Sequence, residues 1–287
     1  MTPETLVENI DRLVSLPDVC IKVNRMVESP DYSASRLAEI LSQDVDISAR
    51  LLRLVNSALF GLQSKVDTIS RAVAVAGSDE VRSLVMATTA VRTFTGIPDE
   101  LVNMEDFWRQ SIMTGVMSQL LAEHSRTLHS ERLFVMGMLH DVGRLVIYLT
   151  QPEKAREVLL VTGGDDWVTA EVENESLGFN HMDVGAALMR AWSMPDGLEM
   201  VAGYHHRPAE APEYRRDVSL VHIAWAVARG ELAGFSVDEM MWAIDPVVWE
   251  ETGLNAQAVA QYVEDMLAKS AETIDLMLSP VSRVASQ

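Results

Sequence analysis

An all-α fold, built as a compact array of a dozen or more short helices, is predicted by three observations. Ala, Leu, Val and Met dominate while aromatic residues make up only 6% of the 287, and most windows read as helix by propensity and by period. No alternating apolar and polar segment with hairpin chemistry stands out. Breaking residues recur at short intervals: Pro17, around Pro30, near Gly61, Gly77, Pro98, Gly163-Gly164, Pro195, and Pro208 to Pro212. No low-complexity linker lies between them, so short loops join short helices.

The elements can be justified in order. Thr2-Pro3 opens the first helix, because proline is tolerated at the first helical position. Ser33 is the expected cap of a helix over 34–43, with Tyr32 and Leu37 as a hydrophobic staple. Asn56-Ser57 is expected to close a helix by bonding local backbone groups where the chain turns toward Gly61. The Gly96-Ile97-Pro98-Asp99 turn divides an amino-terminal helical half, about 6–97, from a second half, about 98–230, that holds most of the histidines. Asn180 caps a segment whose Val184, Ala187, Leu188 and Ala191 share one face. Ser236 with Glu239 forms a capping box in a helical extension over 231–287. There Val259, Val263, Met266, Ile274 and Met277 form a stripe interrupted by Ser270; it is expected to pack on the body, with a homodimer seam as the alternative. The 16 methionines, Met136 and Met138 among them, are expected to fill gaps between helices.

Composition also excludes functions. Lys and Arg number 23 against 42 Asp and Glu, a net charge of −19, which repels a polyanion and excludes nucleic-acid binding driven by bulk charge. The content of 48% apolar and 23% charged residues marks a folded chain. The most apolar region, Leu133 to Leu149, contains His140, Asp141 and Arg144, so no membrane span is expected. The amino terminus lacks the basic start and apolar run of a signal peptide, and the single Cys20 forms no internal disulfide. A cytoplasmic location is therefore expected.

Chemistry gathers in three groups between residues 140 and 206: His140-Asp141, His181, and His205-His206. Imidazole and carboxylate suit Fe, Mn, Ni or Zn, and an aspartate can bridge two metals. Arg144 lies one turn beyond His140, where it could meet a phosphate oxygen; Arg207 is the second candidate ligand-binding cation. The five residues could equally form a buried polar network without metal. His222 reads as a hydrogen-bonded core residue, and His124 and His129 as solvated. Trp108, Trp192 and Trp225 flank the histidine groups and would dry the site.

The motifs Leu139-His140-Asp141-Val142-Gly143-Arg144, Gly178-Phe179-Asn180-His181-Met182-Asp183-Val184-Gly185-Ala186, Trp192-Ser193-Met194-Pro195 and Tyr204-His205-His206-Arg207-Pro208 resemble the HDOD domain, the HD-related output domain of bacterial signalling proteins. Leu16-Pro17, Ile40-Leu41-Ser42-Gln43-Asp44 and Leu51 to Ala58 are similar to the amino-terminal half of that family and occur in its order. The resemblance covers about residues 6–230. It implies an all-helical fold distantly related to HD-type metal-dependent phosphohydrolases and to HD-GYP phosphodiesterases of cyclic di-GMP, and a regulatory module with no established catalytic activity. The chain departs from the active relatives at three places. Their histidine on the preceding helix has no counterpart in Phe107 to Leu121, their final metal-binding aspartate falls at Trp225, and no Gly-Tyr-Pro follows His205-His206.

Two ligands of a dinuclear site are thus expected to be absent, and two-metal hydrolysis needs both positions. The expected function is a non-catalytic signalling module that binds a protein partner or a small ligand through a degenerate HD-type site, with no catalytic residue assigned. The favoured reading of the site is metal-free, and a single divalent transition metal is the alternative. A residual metal-dependent phosphohydrolase is the competing function. The acidic exterior favours a basic patch on a protein partner.

Overall fold

The computed structural model describes residues 1–13, 17–242 and 244–278, with side chains from 9 to 13 left undescribed. All regular structure among the described residues is helical. The order is α1 (Pro3–Leu13), α2 (Asp18–Val27), α3 (Ala34–Ser42), α4 (Val45–Val55), α5 (Ile69–Ala76), α6 (Ser78–Thr93), α7 (Met104–His124), α8 (Arg132–Leu139) and α9 (Val142–Thr150). There follow α10 (Pro152–Thr162), α11 (Asp166–Leu177), α12 (His181–Ala191) and α13 (Asp196–Tyr204), then a 3-10 turn at Pro208–Glu210. The chain ends with α14 (Arg215–Ala233), α15 (Val237–Trp242), α16 (Val247–Thr252), α17 (Ala256–Ala260) and α18 (Val263–Leu278).

The capping chemistry legible in the sequence operates as expected. Ser33 accepts from the Arg36 amide, and Ser236 and Glu239 bond reciprocally. Asn180 accepts from the Met182 and Asp183 amides while Asp183 accepts from the Asn180 amide, closing a full capping box at the head of α12. Leu16 of the Leu16-Pro17 motif lies outside the described residues.

The chain forms two compact units, one from Met1–Ser15 with Phe94–Leu267, the other from Leu16–Thr93 with the chain from Ala268 onward. In the second unit Leu37, Leu41, Leu51, Leu54 and Leu84 are fully buried. Asn56 donates to the Leu52 and Val66 carbonyls and accepts from the Val66 amide, so its role is local. Arg50 donates to the Leu276 and Met277 carbonyls at the end of α18, where a cation complements the helix dipole. Cys20 is buried against the Thr89 hydroxyl, and desolvation pushes its thiol pKa up to about 11, so it is an unreactive core residue.

The first unit packs α7 against α8 and α14, and α9 and α13 against α12. Small residues set the closest approaches. A Cβ on Gly137 would lie 2.7 Å from the Gly115 Cα, so α7 and α8 touch backbone to backbone. A Cβ on Gly143 would lie 2.0 Å from the His181 carbonyl oxygen and 2.6 Å from the Gly185 amide nitrogen. The glycine two residues after Asp141 is thus the point where α9 meets the head of α12, and it sets His181 beside His140-Asp141. The stretch Arg132–Thr150 is by length and composition apolar enough to cross a membrane, but its most apolar window is 89% buried inside the fold, as a core segment is. Of the carboxy-terminal stripe, Val259, Val263, Met266 and Met277 are buried within the chain, as is Ser270.

Gly143→Ala should therefore lower the unfolding free energy by about 3 kcal/mol, as overpacking against backbone does. Urea denaturation checks this, and a loss below about 0.5 kcal/mol, the range of neutral surface substitutions, would mean that α9 and α12 do not meet there.

Candidate functional site

His140 caps the end of α8 and Asp141 stands at the start of α9, so the two lie in the break between the helices. The break changes the geometry: adjacent helical residues diverge by about 100°, whereas here Asp141 takes φ −111° and ψ 13° outside the helix. His181 is the first residue of α12, placed by the Asn180 cap, and His205 and His206 follow the last turn of α13. His140, His181 and His205 are almost wholly buried.

The four rings pack edge to face or tilted, with centroids 4.9 Å apart for His140 and His205, 5.6 Å for His181 and His205, 5.2 Å for His181 and His206, and 4.1 Å for His205 and His206. Three of them have one nitrogen fixed. The His140 Nδ1 is 2.6 Å from the Gly137 carbonyl, the His205 Nδ1 is 3.1 Å from the Ala202 carbonyl, and the His181 Nδ1 is 2.6 Å from Glu173 Oε2. A carbonyl only accepts, so Nδ1 carries the proton and Nε2 carries the lone pair in His140 and His205. All three Nε2 atoms are buried without a hydrogen-bond partner, as are both ring nitrogens of His206. Ligand nitrogens of His181, His205 and His206 lie within 4.8 Å of one another, and His181 Nε2 is 3.7 Å from Asp141 Oδ1. Buried, unpaired lone pairs converging in this way suit a transition-metal ion, and Nδ1 held by an acceptor is how metal-binding histidines are oriented.

Charge is arranged around this cluster. Arg144 Nε lies 3.0 Å from Asp141 Oδ1 and 2.9 Å from Oδ2, and its terminal nitrogen is 2.5 Å from Asp166 Oδ1. Arg229 donates to the other oxygen of Asp166 at 2.8 Å. Burial disfavours the charged Arg144, yet Asp141 and Asp166 outweigh it and hold its pKa well above the ordinary value. Burial alone would raise Asp166, but Arg144 and Arg229 bring it below the ordinary carboxyl value. Burial, reinforced by neighbouring rings and Arg144, drives His205 and His206 well below the ordinary imidazole value; His140 is lowered by burial against the pull of Asp141.

The structure brings together His140, Asp141, His181, His205, His206 and Arg144, all expected from the sequence. Arg207, the second candidate cation, does not join them. It is half-exposed, ion-paired with Glu210 at 3.3 Å, and lines a separate groove with Glu4, Arg190 and Tyr204, because the chain turns into Pro208–Glu210 directly after the histidine pair. Arg144 is engaged by two carboxylates through Nε and one terminal nitrogen, while its other terminal nitrogen has no hydrogen-bond partner and the side chain lines a cleft beside the cluster. His222 is the hydrogen-bonded core residue expected, with Nδ1 2.7 Å from the His205 carbonyl and Nε2 accepting from the Asp245 amide. Trp225 stands 4.4 Å from His206, but Trp192 pairs with Phe94 and Trp108 with Phe107. Sequence reasoning missed Asp166, Glu173 and Trp167, the last 4.5 Å from Trp225. A cleft of about 450 Å³ opens beside the cluster, lined by Asn103, Asp106, Gln110, Asp141, Arg144 and Asp166 among others.

Fold and site together define a class, an all-α domain with a buried cluster of histidines at its centre. The chain belongs to the HDOD domain family, which it matches over residues 13–208. It is 28% identical to an uncharacterized protein of Treponema pallidum over 223 residues, 77% of this chain and 43% of that one. It is 24% identical to the cyclic di-GMP phosphodiesterase CdgJ of Vibrio cholerae over 200 residues, 61% of this chain and 45% of that one. The chain therefore spans less than half the length of these two relatives. A crystal structure from Shewanella amazonensis, of a protein provisionally named a phosphohydrolase, superposes with a TM-score of 0.73 at 26% identity, covering 95% of this chain and 97% of that one.

The depressed imidazoles set a pH dependence for chelator-treated protein. His140, His205, His206 and His222 are neutral when folded, while the unfolded chain takes up their protons near the ordinary value of about 6.5. Their contribution is complete above that value and is lost as pH falls below it toward the folded pKa values. Each costs about 1.4 kcal/mol per pH unit in that window. Thermal melts should show Tm level above pH 7.5 and falling between pH 6.5 and 5; a level Tm down to pH 5 would contradict the buried neutral rings.

Proposed function

We propose that the chain is a non-catalytic signalling module of the cytoplasm, acting by binding a protein partner or small ligand, whose HD-type site holds one divalent transition metal. The observation that carries this reading is the state of Asp141. Both of its oxygens face the Arg144 guanidinium, so a metal bridged by this carboxylate must compete with a buried cation. Two further observations support it. No histidine occurs in Phe107 to Leu121 of α7, and the Trp225 indole packs on His206 where the family resemblance places the aspartate of active relatives. The metal-free core favoured by the sequence gives way to one ion among Fe, Mn, Ni and Zn, because three imidazole nitrogens with buried lone pairs fit it. Bound by His181, His205 and His206, such an ion supplies a fixed positive charge and Lewis acidity.

The working domain is placed at about 6–230, with 231–287 as a helical extension. With a net charge of −19, the protein partner presents a basic patch. A homodimer through the carboxy-terminal helices would need residues other than the buried stripe, and light scattering of the full chain detects it.

A second reading, residual phosphohydrolase activity on a nucleotide or cyclic dinucleotide, is favoured by the open cleft beside His140, Asp141 and Arg144 and by the similarity to CdgJ. Elemental analysis of protein purified without a histidine tag separates the two. One metal per chain, lost in His181→Ala, with no turnover of cyclic di-GMP or a generic phosphodiester, is expected. Two metals per chain, or turnover abolished by Asp141→Ala, would overturn the non-catalytic reading.

A further inference from the structure

We infer that Glu173 is a positioning residue for the histidine site: it fixes the ring of His181 with Nδ1 protonated and Nε2 presented to the centre, and so sets how tightly a metal is held there. The inference rests on the metal-holding part of the proposed function.

Glu173 lies one turn before the end of α11, and Gly178 reverses the chain in a left-handed conformation at φ 83° before the Asn180 cap. That short connection brings the carboxylate onto the residue eight positions later. Its Oε2 accepts from the His181 ring Nδ1 at 2.6 Å and from the His181 main-chain amide at 2.8 Å. The main-chain amide here is one of the unsatisfied donors at a helix start, so one oxygen anchors both the head of α12 and the ring it carries. Glu173 itself is 2% exposed. A buried carboxylate is costly unless matched, and the match here is the pair of donors on His181.

The three oriented histidines differ in their acceptors. Those of His140 and His205 are main-chain carbonyls, of Gly137 and Ala202, which carry no charge and do not titrate. His181 alone among them is held by an ionisable side chain. Of the carboxylates around the cluster, Asp141 and Asp166 are held by arginines, while among the described ion pairs Glu173 is matched only to His181. It therefore supplies negative charge behind a ligand without competing for the metal, which raises the donor strength of the ring.

Two substitutions and two readouts test the assignment in the full chain. Glu173→Gln keeps an acceptor oxygen and the shape but removes the charge; Glu173→Ala removes both. Long-range proton–nitrogen NMR of the histidine rings at pH 8, on chelator-treated protein, reports the tautomer. Wild type should show His181 with Nδ1 protonated and Nε2 bare, and Glu173→Ala should move population to the Nε2-protonated form. Titration with Zn²⁺ against a competing chelator should show affinity falling about 10- to 100-fold in the two variants, the range for loss of an outer partner of a ligand. A merely structural glutamate would lower Tm and leave tautomer and affinity unchanged in the folded protein. His181 protonated at Nε2 in wild type, or both variants binding Zn²⁺ as tightly as wild type, would overturn the inference. Should Glu173→Ala not fold, the Glu173→Gln affinity decides. Should wild type bind no Zn²⁺, the metal reading of the site falls, and the tautomer alone decides the role of Glu173.

Discussion

Four imidazole rings joined through successive contacts of 4.1–5.6 Å between centroids, three of them almost without solvent contact, are the constraint on which the first unit is built. Such rings cannot all be charged, and neutral rings with unpaired nitrogens lose about 1–3 kcal/mol for each buried group left unsatisfied. The fold concentrates this cost at one place and fixes it there. Gly143 lets α9 reach the head of α12, the Asn180 box starts α12 at His181, and the Gly137 and Ala202 carbonyls orient the neighbouring rings. Each device is local, and together they leave lone pairs facing a common centre. A metal ion held there would remove the penalty of those unpaired nitrogens, so the stability of the unit would depend on whether the site is filled.

A second, ionic layer lies to one side of the rings. Asp141 belongs to both layers: it approaches His181 Nε2 at 3.7 Å and holds Arg144 with both oxygens. Arg144 passes the contact on to Asp166, and Arg229 completes the chain. The Asp141 carboxylate is thus divided between an imidazole and a guanidinium. Beside it, Trp225 and Trp167 present apolar rings to His206 and to each other, with no carboxylate in their place. Three imidazole nitrogens, those of His181, His205 and His206, lie close enough together to meet one cation.

Much of this was legible in the sequence where the signal is local. Breakers and caps gave the helical fold, and Ser33, Asn180 and Ser236 start helices as their side-chain chemistry dictates. The His140-Asp141, His181 and His205-His206 groups were visible because buried histidine is unusual and because they match an HDOD pattern. The family resemblance, rather than spacing, joined them into one site. Glu173 and Asp166 were not legible, because each lies in an acidic stretch, Glu171 to Glu175 and Asp165-Asp166, that reads as a solvated helix face. Their burial follows from the packing of α11 beside α12 and from Arg229 on α14, contacts set by tertiary structure. Arg207 lies apart from the cluster for the converse reason: adjacency to His206 in sequence does not survive the turn at Pro208.

X-ray absorption at the metal edge of the protein as purified addresses the central claim most directly. The account predicts a single metal with three imidazole nitrogens at about 2.0–2.1 Å, as for zinc-like ions, and no metal–metal scattering. A second metal at about 3.5–4 Å, the separation of two-metal hydrolases, or a spectrum without imidazole ligands, would contradict it.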